Sequence, residues 1–117
     1  MKILLIDDNQ EITNMLSKFL KLKKFDVTVS NDGRNGLNLI QQQKFDIVLL
    51  DLAMPEFTGH DVIHALADNG KIKEQKIILF TASSASNEEI EDLIKKGAHS
   101  CIKKPVGLDE LLKTITS

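Results

Sequence analysis

Residues 3–8 read Ile-Leu-Leu-Ile-Asp-Asp, and residues 47–51 read Ile-Val-Leu-Leu-Asp. Short segments that are apolar at every position are typical of strands covered by helices on both faces, as in a parallel sheet. In such a sheet, ligands bind outside the carboxyl ends of the strands. We therefore expect Asp7, Asp8 and Asp51 to share one crevice at that edge of the sheet.

The rest of the chain alternates between strand-like and helix-like patterns. Strand-like runs occupy residues 25–29, 77–80 and 100–102, and apolar residues at helical spacing mark segments around 12–20, 37–40, 62–66, 90–94 and 108–115. Asp8 or Asn9 is expected to cap the first helix, and Ser86 and Glu89 have the spacing of a capping box before the fourth. This alternation predicts an α/β fold, a doubly wound parallel sheet of five strands between two layers of helices.

Composition narrows the possible functions. A chain of 117 residues with one cysteine predicts a single domain, residues 1–117, without an internal disulfide. The 15 basic residues are balanced by 17 acidic ones and form no stretch longer than a pair, which argues against direct nucleic-acid binding. Apolar runs stay well below the ~18 residues of a membrane helix, so we expect no membrane insertion and a cytoplasmic protein.

The predicted crevice also receives a hydroxyl and an ammonium group. Thr81 follows the fourth strand, and Lys103 or Lys104 ends the fifth. Carboxylates held close together raise one another's pKa unless a cation neutralises them. One Mg²⁺ ion, which prefers oxygen ligands, and one lysine would balance the charge of three aspartates.

Such a site suits phosphoryl transfer, because a carboxylate can act as the nucleophile and the reaction depends on neutralising charge on the phosphoryl oxygens. Asp51 is the candidate nucleophile. We expect Mg²⁺ to bind oxygens of Asp8, Asp51 and a backbone carbonyl near Ala53. Asp7 would largely support these ligands rather than bind the ion directly. The lysine and the hydroxyl of Thr81 would each hold one phosphoryl oxygen.

The motifs resemble, in order and spacing, those of the response-regulator receiver domain, over essentially the whole chain. They are Asp7-Asp8 after the first strand, Asp51-Leu52-Ala53-Met54-Pro55 with Gly59, Thr81-Ala82, and Lys104-Pro105. The resemblance implies a flavodoxin-like fold with strand order 2-1-3-4-5. Because the sequence shows no repeat, low-complexity tract or Pro/Gly-rich linker, we expect a stand-alone domain without an output domain. The resemblance also favours Lys104 over Lys103, because Lys104 precedes the proline, and it implies a cis peptide between Lys104 and Pro105.

By the same resemblance, the protein is a signalling switch of a two-component system or phosphorelay and catalyses only its own phosphorylation and dephosphorylation. Asp51 would accept a phosphoryl group from a phosphohistidine on a sensor histidine kinase or a histidine phosphotransfer protein, with Asp7 and Asp8 serving Mg²⁺ binding. A downstream effector would dock on the face formed by the fourth helix, the fifth strand and the fifth helix.

Two positions depart from the family pattern. Cys101 stands where receivers commonly carry a Tyr or Phe three residues before the lysine, so we expect the docking face to change through backbone shifts that follow Thr81. Ala53 and Ser83 stand where rapidly self-hydrolysing members often carry amide or acidic side chains. A long-lived phosphorylated form is therefore predicted.

Two enzyme or cofactor-binding classes share parts of this pattern but lack a decisive residue. A phosphatase of the haloacid dehalogenase class carries the motif Asp-x-Asp, but Ala53 stands where the second Asp would be. A flavin binder needs a hydroxyl- and glycine-rich phosphate loop after the first strand, where this chain has Asp7-Asp8-Asn9 instead. A receiver-like module that binds its partner without phosphorylation remains the alternative. His60 and His64 have a spacing that can bind metal, but the sequence shows no third ligand, so a surface pair is favoured.

Overall fold

The computed structural model describes residues 1–82, 85–104 and 107–116. The strands are β1 (Lys2–Ile6), β2 (Asp26–Ser30), β3 (Ile47–Leu50), β4 (Ile77–Ala82) and β5 (Ser100–Lys104). The helices are α1 (Gln10–Leu22), α2 (Gly33–Gln42), α3 (Gly59–Asp68), α4 (Asn87–Lys96) and α5 (Leu108–Thr116), with a short 3₁₀ helix at Ile72–Glu74. No helix in the described ranges is long and apolar enough to cross a membrane.

The five strands form one parallel sheet in the order β2-β1-β3-β4-β5. The predicted fold class and strand order are confirmed. Ile6 pairs with Leu50 in the sheet, and Leu50 pairs with Leu79. The residues that follow these positions therefore meet at the carboxyl edge of the sheet.

Alternate residues of each strand point to opposite faces of the sheet, and each face has its own apolar core. On one face, Leu4 and Leu50 pack with helices α2, α3 and α4. On the other face, Leu5 and Leu49 pack with α1 and α5. Because both faces are covered, β1 and β3 are apolar at every buried position, which explains the two runs that predicted them.

Several boundaries differ from the predicted ones. β2 begins and ends one residue later than the pattern indicated, and β5 continues through Lys104 because its last residues still pair with β4. The 3₁₀ helix was not predicted. Asn9, rather than Asp8, caps α1: its side chain accepts bonds from the N–H groups of Glu11 and Ile12.

The capping box predicted before α4 is only half formed. The hydroxyl of Ser86 accepts a bond from the N–H of Glu89, but the Glu89 carboxylate contacts His60 instead. A complete capping box occurs before α3, between Thr58 and Asp61. The predictions that concern Ser83 and the Lys104–Pro105 peptide bond fall outside the described residues.

Candidate functional site

The backbone of the sheet brings the two buried aspartates together. The N–H of Asp51 donates to the carbonyl of Ile6 at 2.9 Å, and the N–H of Asp7 donates to the carbonyl of Ser30 at 3.1 Å. The hydrogen-bonded ladder therefore continues one residue beyond β1 and β3. This extension places Asp7 and Asp51 side by side where the two strands end.

Asp7, Asp8 and Asp51 form the acidic cluster that the sequence predicted. One carboxylate oxygen from each lies within 4.8 Å of the other two. Asp7 and Asp51 are buried, whereas Asp8 is exposed and opens the cluster to solvent. Three convergent carboxylate oxygens with an open side suit Mg²⁺, a hard cation that takes oxygen ligands and keeps several waters.

Lys104 reaches this cluster from β5. Its Nζ lies 2.7 Å from Oδ2 of Asp7 and 3.7 Å from Oδ1 of Asp51. The same ammonium stands 5.0 Å from the centre of the Phe80 ring, a cation–π distance. Lys103 is exposed, and its Nζ lies 3.5 Å from Asn87. The choice of Lys104 over Lys103 agrees with this geometry, because neighbouring residues of a strand point to opposite faces.

Backbone groups hold both buried carboxylates. The N–H of Asn9 donates to Oδ1 of Asp7 at 2.9 Å, and the N–H of Ala53 donates to Oδ1 of Asp51 at 3.3 Å. The side-chain amide of Asn31 donates to the backbone carbonyl of Asp7 at 2.9 Å. Together with Lys104, these donors fix the orientation of Asp7 and Asp51.

The ionisation of Asp51 reflects this crowding. Burial raises the pKa of Asp51 above its ordinary value of 3.8, and the nearby charge of Asp7 raises it further. The ammonium of Lys104 and the N–H of Ala53 act in the opposite direction and lower the pKa, but they do not cancel the effect. The cluster is thus under-neutralised, and a divalent cation would relieve the repulsion.

Thr81 reaches the same edge of the sheet from β4. It is buried at the end of β4, where it pairs in the sheet with Lys103. Thr81 and Ala53 both line a pocket of about 310 Å³ that adjoins the acidic cluster. The six predicted site residues are therefore grouped at one edge of the sheet.

Gly59, part of the family motif, allows α3 to begin against the strand end. A Cβ atom at this position would lie 2.4 Å from the carbonyl oxygen of Asp51 and 2.8 Å from the Cα of Leu52. Only glycine fits, because both contacts are with backbone atoms. Gly59 thus holds the loop after Asp51 close to the site.

Sequence reasoning missed two features around the site. One is the amide of Asn31, which supports the carbonyl of Asp7 from the loop after β2. The other is the contact between His60 and Glu89, which join the first turns of α3 and α4. Local patterns identify caps within one helix, but neither of these long-range contacts leaves a spacing signal in the sequence.

Comparison with known proteins identifies the family. Residues 3–116 match the response regulator receiver domain family, so the chain belongs to that family, as the motifs predicted. Receiver domains are signalling modules of two-component response regulators rather than classical enzymes.

Curated relatives include regulators of several bacteria. The chain is 33% identical over 114 residues to the transcriptional regulatory protein CpxR of Escherichia coli, covering 97% of this chain and 47% of that protein. It is 31% identical over 114 residues to the response regulator ArlR of Staphylococcus saprophyticus, covering 97% of this chain and 50% of that protein. The chain spans about half the length of these curated relatives.

Solved structures of receiver proteins superpose closely on this fold. Chemotaxis protein CheY4 of Vibrio cholerae is 30% identical, with a TM-score of 0.87 over 98% of this chain and 95% of that one. The response regulator protein TrrA of Thermotoga maritima, in complex with Mg²⁺-BeF, is 27% identical, with a TM-score of 0.81 over 98% of this chain and 96% of that one.

Proposed function

We propose that this protein is a phosphorylation-dependent signalling switch in which Asp51 accepts a phosphoryl group from a phosphohistidine. The observation that carries the proposal is the convergence of three carboxylates and the ammonium of Lys104 at one edge of the sheet. A sensor histidine kinase or a histidine phosphotransfer protein would be the donor, in the cytoplasm. Residues 1–117 would act as one receiver domain.

Each residue has a distinct part in the proposed reaction. Oδ2 of Asp51 is the nucleophile, because Oδ1 is held by the N–H of Ala53. Lys104 neutralises one phosphoryl oxygen, and the hydroxyl of Thr81 donates to another. Phosphoryl transfer depends mainly on such positioning and charge neutralisation, so these contacts supply most of the catalysis.

The acidic cluster would hold Mg²⁺ through carboxylate oxygens of Asp8 and Asp51 and the backbone carbonyl of Ala53, with Asp7 beside them. When bound, the ion would supply positive charge to the phosphoryl oxygens. Asp7 would support these ligands rather than bind the ion directly, since its carboxylate oxygens already accept hydrogen bonds from Lys104 and the N–H of Asn9. The donor set of three carboxylates supports this assignment.

The signal would leave the protein through the face formed by α4, β5 and α5, where an effector would dock. Thr81 would move toward the phosphoryl group and shift the backbone at the end of β4. Cys101 is half-buried and pairs with Leu79 in the sheet, so no aromatic ring is available at this position to follow Thr81. Near-identical free and phosphorylated conformations of this face would contradict the proposal.

The test is the intact mass of the protein after incubation with Mg²⁺ and acetyl phosphate, a small acyl-phosphate donor. The parent should gain one phosphoryl group, whereas Asp51→Asn should gain none. Asp26→Asn, which removes an exposed carboxylate elsewhere, is the matched control and should behave like the parent. Since Ala53 cannot orient water, the phosphorylated form should persist well beyond seconds in Mg²⁺ buffer.

The alternative is an interaction module that binds its partner without phosphorylation. It is favoured by one observation, the small side chain of Cys101 at the position of the usual aromatic switch. If Mg²⁺ binds but the parent gains no phosphoryl group, this alternative replaces the proposed switch.

A further inference from the structure

A pocket of about 310 Å³ adjoins the acidic cluster, between the first turns of α3 and α4. Its lining includes Ala53, whose N–H donates to Asp51, and Thr81. Thr58, His60 and Glu89 also line it. Water occupies roughly 30 Å³ per molecule in the liquid, so the pocket has room for several. Because Ala53 donates its N–H to Asp51 and Thr81 is assigned above to a phosphoryl oxygen, water that enters this pocket would lie beside the phosphoryl group on Asp51.

Two of the four polar side chains among the described lining residues are committed elsewhere. The hydroxyl of Thr58 exchanges hydrogen bonds with Asp61 in the capping box of α3. The hydroxyl of Thr81 is assigned above to a phosphoryl oxygen, and the side chain of Ala53 has no polar atom. His60 and Glu89 are the remaining polar pair among these residues.

The side chains of His60 and Glu89 are within hydrogen-bonding distance of each other. Nε2 of His60 lies 2.5 Å from Oε1 of Glu89, and each side chain is about one-third exposed, 33% and 36% respectively. An ionised carboxylate only accepts hydrogen bonds, so Nε2 of His60 must carry the proton. In the neutral imidazole, Nδ1 is then an acceptor. A carboxylate that fixes the tautomer of a histidine in this way is the arrangement used to prepare a general base.

We propose that the His60–Glu89 pair is the general base for the water that removes the phosphoryl group from Asp51, an inference that rests on the proposed function. The water oxygen bonds to phosphorus while the bond between phosphorus and the Asp51 oxygen breaks. The water proton passes to Nδ1 of His60 and then to solvent. The products are inorganic phosphate and the free Asp51 carboxylate. Ala53 still offers the water no second polar contact, so hydrolysis through this pair alone stays slow and the phosphorylated form persists well beyond seconds.

His64 provides a matched control. It lies one helical turn beyond His60 on α3 and also contacts α4, with Nε2 2.8 Å from Nζ of Lys96. That lysine is in turn 2.8 Å from Asp92. His64 is not among the residues that line the pocket. Substitution of His64 therefore disturbs the same helix pair without removing the proposed base.

The experiment phosphorylates each protein with acetyl phosphate and Mg²⁺, removes the donor, and follows the phosphorylated fraction by intact mass. His60→Gln should lose its phosphoryl group about tenfold more slowly than the parent. This slowing is smaller than the roughly 10²–10⁴-fold of most general-base effects, because phosphoryl transfer needs little proton removal. Glu89→Gln should show a smaller slowing, and His64→Gln should match the parent. The rate of phosphorylation by acetyl phosphate should stay within about twofold in all three variants.

Chemical rescue separates a base from a structural support. Added imidazole should restore a large part of the hydrolysis rate in His60→Ala and leave the parent unchanged. Equal hydrolysis rates in the parent and His60→Gln would overturn the inference while leaving the proposed function intact, as would equal slowing by His64→Gln. If the parent itself gains no phosphoryl group, the proposed function fails and the inference falls with it.

Discussion

The ammonium of Lys104 lies 2.7 Å from Oδ2 of Asp7, although 97 positions separate the two residues in the chain. The contact joins β5 to the end of β1 across the acidic cluster. It provides one positive charge among three carboxylates, and Lys104 also stands 3.7 Å from Asp51. Lys104 and a bound divalent cation would therefore neutralise the same negative charge.

This competition gives the first prediction. Lys104→Met should bind Mg²⁺ about three- to tenfold more tightly than the parent, because removal of a neighbouring positive charge is worth roughly 1 kcal/mol at a partly exposed site. The same variant should accept a phosphoryl group poorly from acetyl phosphate. Isothermal titration with Mg²⁺ measures the first effect and intact mass the second.

Lys103→Met is the control for that experiment, since Lys103 is exposed and points away from the cluster. It should leave both properties near those of the parent. Weaker Mg²⁺ binding by Lys104→Met would contradict the idea that the lysine and the cation compete.

Asp51 makes the stability of the metal-free protein depend on pH. Folding raises the pKa of Asp51 above 3.8, mainly through burial and then through Asp7, so the folded state holds that proton more tightly than the unfolded chain. The tighter proton binding by Asp51 in the folded state stabilises the protein fully below pH 3.8, where the group is protonated. This stabilisation is lost as the pH rises through the higher folded-state pKa of Asp51. At neutral pH the ionised group is therefore destabilising.

Asp51→Asn should consequently be more stable than the parent in metal-free urea unfolding at pH 7. The difference should shrink as the pH approaches 3.8, and saturating Mg²⁺ should also reduce it, since the ion stabilises only the parent cluster strongly. A variant that is less stable than the parent at pH 7 without metal would show that the site is already neutralised.

Gly59 should tolerate no side chain. Gly59→Ala should destabilise the protein by about 1–3 kcal/mol, because its Cβ would meet the carbonyl oxygen of Asp51 at 2.4 Å. Gly107→Ala should change the free energy of unfolding by less than about 0.5 kcal/mol, since a Cβ there meets nothing within 4 Å. Urea unfolding measures the free energy of unfolding of both variants. Equal losses in Gly59→Ala and Gly107→Ala would contradict the prediction.

Lys24 occupies a backbone conformation that suits glycine. Its φ angle is +70°, two residues after the last residue of α1, whereas Lys23 has a φ of −86°. Lys24→Gly should stabilise the protein by about 0.5–1 kcal/mol, the relief of left-handed strain less the added entropy of the unfolded chain. Lys23→Gly should destabilise it by a similar amount. Thermal unfolding measures both changes in stability. A lower melting temperature in both variants would contradict the argument that Lys24 is strained.

The sequence predicted most of the fold because short-range patterns carry it. The fully apolar runs at 3–6 and 47–50 indicated strands covered on both faces, and the aspartates after them indicated the site edge. Gly97, the C-cap of α4, has a φ of +131°, a conformation that favours glycine. By contrast, the 3₁₀ helix at Ile72–Glu74 gave no signal, because one turn is too short to show a period.

The candidate site was predictable in its membership but not in its contacts. Strand-end positions were enough to group Asp7, Asp8 and Asp51, since parallel strands end at one edge of a sheet. Residue order could not show that Asn9 rather than Asp8 caps α1, because both have side chains suited to that position. The backbone at the start of α1 places Asn9 at the N-cap position, where its side chain accepts from two backbone N–H groups.

What the sequence determined by itself was the class of fold, the edge that carries the acidic residues, and the family. The first two follow from periodicity and from residue types at strand ends, which local physics imposes. The family followed from the resemblance of the motifs, in order and spacing, to those of receiver domains. Tertiary structure alone decided that Lys104 pairs with Asp7, that Asn31 supports the Asp7 carbonyl, and that Glu89 turns from its own helix cap to His60. Each of these contacts joins residues distant in the chain, and only the packed positions of the elements fix which side chains meet.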